Sequence, residues 1–91
     1  MTTVAAYYKI DGEHVTQSLN EAREKLASED GEAVLDFAGA VRIDTGGLHA
    51  IEELANAADQ KSVKVTLRGV NVNVYKVLKL SRLTSRFSFV N

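Results

Sequence analysis

Ninety-one residues with 45% apolar and 25% charged side chains are the size and make-up of one small folded domain spanning residues 1–91, not of a disordered tail. With no cysteine there is neither a disulfide framework nor a thiolate zinc site, and two histidines far apart in sequence are a poor basis for a metal centre. The net charge of −1 hides a division: all twelve acids lie in the first 60 residues beside four basic residues, while Lys61 onward carries seven cations and no acid. Such asymmetry marks either a nucleic-acid or acidic-partner surface, or a basic third folded beside acidic helices, which is the ordinary arrangement of mixed-charge surfaces. No basic region precedes an apolar core at the N-terminus and no apolar run reaches membrane-spanning length, so a cytoplasmic location is expected.

In chain order, Val4 to Ile10 reads as a strand ended by Asp11-Gly12. Because Asp-Gly is also a hairpin signal, a short second strand through Glu13 to Val15 is an option. Ser18-Leu19-Asn20-Glu21 has the capping-box arrangement, which predicts a helix from there to about Ser28. Its apolar stripe is Leu19, Ala22 and Leu26; Glu21, Glu24, Lys25 and Glu29 take the wet face, with Glu21 and Lys25 a favourable pair. Ala33 to Ala38 is a nearly continuous apolar run, the pattern of a parallel strand covered on both faces, and Asp36 inside it needs a hydrogen-bond partner if buried.

Arg42-Ile43-Asp44-Thr45-Gly46-Gly47-Leu48 follows as a strand-to-helix turn. Asp44 or Thr45 can cap the helix, and the two glycines let the backbone approach something closely. Leu48, Ile51, Leu54, Ala55 and Ala58 then repeat at helical spacing to about Asp59, leaving His49, Glu52, Glu53 and Asn56 on the opposite side. Val63, Val65 and Leu67 alternate with Lys64, Thr66 and Arg68, which predicts a strand with one wetter face or a place near a sheet edge. Asn71 or Asn73 can cap a third helix through Val74, Val77 and Leu78 to about Leu80, and Phe87 to Val90 alternates like a last short strand. The order β-α-β-α-β-α-β predicts an α/β fold whose mostly parallel sheet is flanked by helices.

Several chemistries can be set against the turn at Asp44. It lacks the lysine and glycine spacing of a nucleotide-binding loop. Thr45 and His49 stand four apart with Asp44 beside them, the residue types of a nucleophilic site, but all three come from adjacent helical positions and no oxyanion hole is identifiable. His14 carries no evident chemistry. The cations of the last third are spread over a strand and a helix, and Tyr75, Phe87 and Phe89 fit a core better than a stacking platform, which argues against nucleic acid. An interaction module is what remains, with no cofactor and no metal.

Three segments then resemble one family: Val34-Leu35-Asp36-Phe37, Ile43-Asp44-Thr45-Gly46-Gly47-Leu48, and Val65-Thr66-Leu67-Arg68-Gly69-Val70-Asn71 followed by Val74-Tyr75-Lys76-Val77-Leu78-Lys79-Leu80. They are similar to the STAS domain, which is shared by anti-sigma-factor antagonists, transporter tails and a subunit of phospholipid-transport ABC systems. The likeness runs from about Tyr7 to Phe89 and implies a small α/β domain that is regulated, or touches partners, at Asp44 to Leu48. Antagonists typically carry Asp-Ser-Ser-Gly-Leu there and are switched by phosphorylation of the second serine. That position is Gly46, without a hydroxyl, so the usual switch has no acceptor and only the neighbouring Thr45 is left as a candidate for phosphorylation.

Asp-Thr-Gly-Gly-Leu with the later Val-Thr-Leu-x-Gly-Val-Asn pattern looks more like the lipid-transport STAS subunits, whose matching threonine contacts the ATPase. The resemblance therefore implies a non-catalytic, cytoplasmic regulatory module that meets the membrane only through a complex. Its partner is an ABC ATPase subunit or, as the alternative, the kinase of an anti-sigma factor. The contact patch is implied at Asp44, Thr45, Gly46, Gly47, His49, Glu52 and Glu53. That helix is more polar than in the lipid-transport subunits, and the family's usual first strand and last helix are absent or reduced. An uncovered sheet edge, available for pairing in a homodimer, is the expected consequence.

Overall fold

The computed structural model describes residues 6–26 and 31–90. The first strand, β1 (Ala6–Lys9), leads into helix α1 (Val15–Leu26), β2 (Glu32–Asp36), α2 (Thr45–Lys61), β3 (Lys64–Arg68) and α3 (Val72–Leu80). A 3-10 turn (Thr84–Arg86) and the short strand β4 (Ser88–Val90) follow. The expected order β-α-β-α-β-α-β is the order observed. Val4 and Ala5 of the predicted first strand, Ala27 and Ser28 of the predicted first helix, and Glu29 assigned to its wet face lie outside the described residues.

The four strands are all parallel and lie in chain order, β1-β2-β3-β4. Successive crossovers of one hand that always step in the same direction put their helices on the same side of the sheet. The packing agrees. Ala33, Leu35 and Phe37 of the β2 segment and Val65 and Leu67 of β3 share one buried core with Leu19, Leu26, Ile51, Leu54, Val74 and Leu78 of the three helices. Alternation along the strands then sends Tyr7, Lys9, Val34, Asp36, Lys64, Thr66, Arg68 and Val90 to the other face. Tyr7, Lys9, Lys64, Arg68 and Val90 are exposed there.

This layering corrects the expectation that β2 is covered on both faces. Among the described residues helices cover only one; on the other, Asp36 is buried beneath side chains of the flanking strands. Its carboxylate accepts the Tyr7 hydroxyl and, at 2.9 Å, the Ala38 N–H, with Arg68 Nη1 3.6 Å away. The partner that a buried Asp36 required is thus supplied from both neighbouring strands. For β3, the wetter face is real at Lys64 and Arg68, but the strand is interior, hydrogen-bonded to β2 and β4, and Thr66 is only 8% exposed.

The start of α1 also differs from expectation. No strand forms over Glu13 to Val15, because Asp11 builds a tight turn: its Oδ1 accepts from Glu13 N (2.9 Å) and its carbonyl from His14 N (3.0 Å). The first helical bond, Ser18 N to His14 O, places Ser18 a turn inside the helix, where its Oγ accepts from Asp11 N (3.1 Å). Glu21 pairs with Gln17 at 3.2 Å instead of reaching back as a capping-box residue. The helix begins three residues earlier, directly after a turn in which Asp11 accepts from Glu13 N and His14 N, so Ser18 lies inside the helix and not at its cap.

The charge division is partly resolved within the fold. Arg86 of the 3-10 turn reaches Asn56 and Asp59 on α2, and Arg68 reaches Asp36, so two cations of the last third meet groups of the acidic part.

Candidate functional site

In a parallel sheet every strand-to-helix loop emerges at the same end, where function collects in α/β folds. Three such loops meet here: Ile10 to His14, Phe37 to Asp44, and Gly69 to Asn71. The middle one is held by its own turns and from the α3 side. Asp36 Oδ1 receives Ala38 N, Phe37 O receives Ala40 N (2.9 Å), and Asn71 Nδ2 donates to Val41 O (2.7 Å). Ile43 then turns into the core and leaves Arg42 and Asp44 outside.

Asp44 is the cap. Its backbone is extended (φ −92°, ψ −177°), its Oδ1 accepts from Gly47 N at 2.8 Å, and its carbonyl accepts the first helical bond from Leu48 N at 2.8 Å. Thr45 and Gly46 are exposed on the first turn of a 17-residue helix, with Gly47 buried below them. The two glycines serve different ends. A Cβ on Gly47 would lie 2.8 Å from Ile43 Cγ1, closer than packing permits, whereas one on Gly46 would meet Thr16 Oγ1 at 3.4 Å and Asp44 Oδ1 at 3.5 Å, ordinary contact distances. Close approach at Gly47 is by the chain itself; at Gly46 a side chain would find room against Thr16 and Asp44.

Farther along α2, His49 and Glu52 are exposed. His49 Nε2 lies 3.1 Å from Glu53 Oε1, and Glu53, half-buried, also reaches Arg23 Nη1 on α1 at 3.5 Å. The expected patch residues Asp44, Thr45, Gly46, His49 and Glu52 therefore stand at the surface, while Gly47 faces inward and Glu53 is engaged between the helices. The nucleophilic arrangement is not assembled: Asp44 is spent on the cap, His49 leans on Glu53, and among the described residues no hydrogen bond joins Thr45 to His49. No group of three His, Asp or Glu side chains is placed to hold a metal ion among the described residues.

Sequence reading missed the neighbour on the α1 side. A cleft of about 390 Å³ separates the two loops, lined among others by His14, Thr16, Gln17, Arg42 and Asp44. Thr16 stands against Gly46, and Asp11 at the base of this loop has its carboxyl held below the usual range by the Glu13 N–H and then by His14. Only the parallel topology brings these residues beside the turn, and the signal for it was the strand-helix alternation itself.

The fold is that of a small α/β domain, and the chain belongs to the STAS domain family, which it matches over residues 4–91. It is 36% identical over 81 residues to the intermembrane phospholipid transport system binding protein MlaB of Escherichia coli K12, covering 89% of this chain and 80% of that protein, with the same figures for MlaB of Shigella flexneri. Among solved structures it is similar to the SulP transporter STAS domain of Vibrio cholerae (TM-score 0.78, 15% identity, 99% of this chain and 76% of that one). A candidate anti-sigma factor antagonist from Thermotoga maritima gives a TM-score of 0.66 at 17% identity, covering 94% of this chain and 73% of that one. These structural likenesses speak to the fold. Among the described residues no helix is long and apolar enough to cross a membrane.

Proposed function

We propose that this chain is a non-catalytic, MlaB-like STAS module that binds the ATPase of a lipid-transport ABC system on its cytoplasmic side, with Thr45 at the centre of the contact. The observation that carries the reading is the state of the turn: rigidly capped, packed from beneath by Gly47, and presenting Thr45 and a bare Gly46 with no catalytic partner assembled around them. A preordered turn loses little conformational freedom when a partner covers it. The identity to MlaB favours a lipid-transport partner over other users of the fold.

The test is co-purification of the tagged chain from its native cell, with and without Thr45→Arg. An exposed helix-start residue tolerates substitution within about 0.5 kcal/mol, so the variant keeps its thermal midpoint. A bulky charge at the centre of an interface lowers affinity at least about tenfold. Recovery of an ABC ATPase with the wild type and its loss with Thr45→Arg is the expected result; a folded variant that still binds refutes the site. Recovery of a serine kinase of the anti-sigma type replaces the partner, and phosphate on Thr45 would then restore a switch that Gly46 lacks.

A further inference from the structure

At the far edge of the sheet a second surface is left open. The edge strand β4 has a hydrogen-bonded neighbour on one side only among the described residues. Gly69 N donates to Val90 O, so the Val90 backbone points to β3, and by alternation the N–H and C=O of Phe89 point outward. Beside this edge lies a cleft of about 330 Å³ lined by Val70, Asn71, Val72, Tyr75, Phe89 and Val90. Val72 is 69% exposed, Val90 50% and Tyr75 42%, and the Tyr75 ring stands edge-on to Phe89 at 5.3 Å. None of these residues belongs to the turn at Thr45.

We infer that this edge and its cleft take an extended, acidic segment of a protein partner, added alongside β4 as a fifth strand. Backbone pairing to Phe89 supplies attachment, and the two faces of the sheet select the side chains. On the helix face an incoming strand meets Phe89 and Tyr75, which favours apolar residues at every second position. On the open face it meets Ser88 and Val90 with Arg68 in register one strand further in, and Lys64 two rows along. Lys64, Lys76, Lys79 and Arg82 are exposed and make no ion pair among the described residues, and no acid occurs after Gln60. The charge decides between occupants: a second copy joined edge to edge brings these cations against their own kind, whereas an acidic strand complements them. The inference stands apart from the proposal for Thr45, since it requires neither that residue nor an ATPase.

The test uses the full chain and three capped decapeptides: alternating Glu-Val, alternating Glu-Phe, and an alternating Lys-Val control. Amide chemical shifts and hydrogen exchange are followed during titration, and anisotropy gives affinities at low and high salt. Expected are shifts confined to β4 and the start of α3, slowed exchange at the Phe89 amide, weakening with salt, and no binding of the lysine peptide. Val90→Glu, at an exposed position, should lower affinity at least about tenfold with the thermal midpoint held; Tyr75→Glu, which also loses the edge-on contact to Phe89, should lower affinity as much at a temperature where it is folded. Thr45→Arg should change nothing, which separates this surface from the proposed ATPase contact. Absence of binding by both acidic peptides, shifts that map elsewhere, or equal binding of the lysine peptide overturns the inference. So does a concentration-dependent dimer that Val90→Glu dissolves, because the edge would then be filled by a second copy.

Discussion

Asp44 shows how little freedom remains at the head of α2: one carboxylate oxygen closes the cap on Gly47 N, and that closure leaves the next two residues facing outward with nothing to do internally. The glycines behind it separate cleanly under substitution. Gly47→Ala drives a methyl to within 2.8 Å of Ile43 Cγ1, in the core, and overpacking of this kind costs roughly 1–3 kcal/mol. Gly46→Ala meets only ordinary contacts and gains helix propensity, so it is neutral or stabilising by up to about 1 kcal/mol. Urea unfolding of both variants checks this, and equal losses would mean that the turn is not built as described. The sequence alone points to the turn and to its cap. It cannot rank the glycines, because what forbids a side chain at 47 is the direction in which Ile43 points, and that is fixed by the core.

At the scale of elements, α3 is held by a single residue with two duties. Asn71 Oδ1 accepts from Val74 N at 2.8 Å while its Nδ2 donates to Val41 O at 2.7 Å, so one amide caps α3 and pins the loop that leads into α2. Asn71→Ser keeps a capping oxygen and loses the donor; Asn71→Ala loses both. The alanine variant should lose about 1–2 kcal/mol and the serine variant about half of that, with amide exchange at Val41 and Arg42 accelerated in both. Identical thermal midpoints for the two would show that the tie to Val41 contributes nothing. Elements were legible where the pattern was long. The stripe from Leu48 to Ala58 gave α2, and the alternation from Val63 to Arg68 gave β3. The start of α1 was misread because Ser18 and Glu21 carry a genuine capping-box spacing, and local spacing cannot reveal that Asp11 has already organised the turn before it. Either Asn71 or Asn73 could have capped α3; only the loop running past Asn71 distinguishes them.

At the scale of the whole fold, the three helices among the described residues cover one face of the sheet, and on the opposite face polar groups are satisfied largely by residues of the strands. Tyr7, Asp36 and Arg68 do this, one from each of β1, β2 and β3. Hydrogen bonds from the Tyr7 hydroxyl and the Ala38 N–H, followed by the charge of Arg68, hold the Asp36 carboxyl below the usual carboxylate range; the same bond raises the Tyr7 phenol. That the run around Asp36 needed a partner could be read from the sequence, but Tyr7, 29 residues away, could be identified only once the strands were in register. The sign of the pH effect follows. A carboxyl with a depressed folded value adds stability that is fully present above the unfolded value of about 3.9 and is lost as pH falls through the folded value. The phenol works in the opposite sense, its contribution present below about 10 and lost as pH rises through the raised folded value. Wild type should therefore exceed Asp36→Asn in unfolding free energy at pH 7, and the gap should close as the solution is taken below about pH 4. Tyr7→Phe, which removes the donor and leaves the carboxylate, should flatten both limbs. If the gap between wild type and Asp36→Asn stays constant down to pH 2.5, acid sensitivity belongs to other carboxylates and the bond across β1 and β2 contributes only as an uncharged contact.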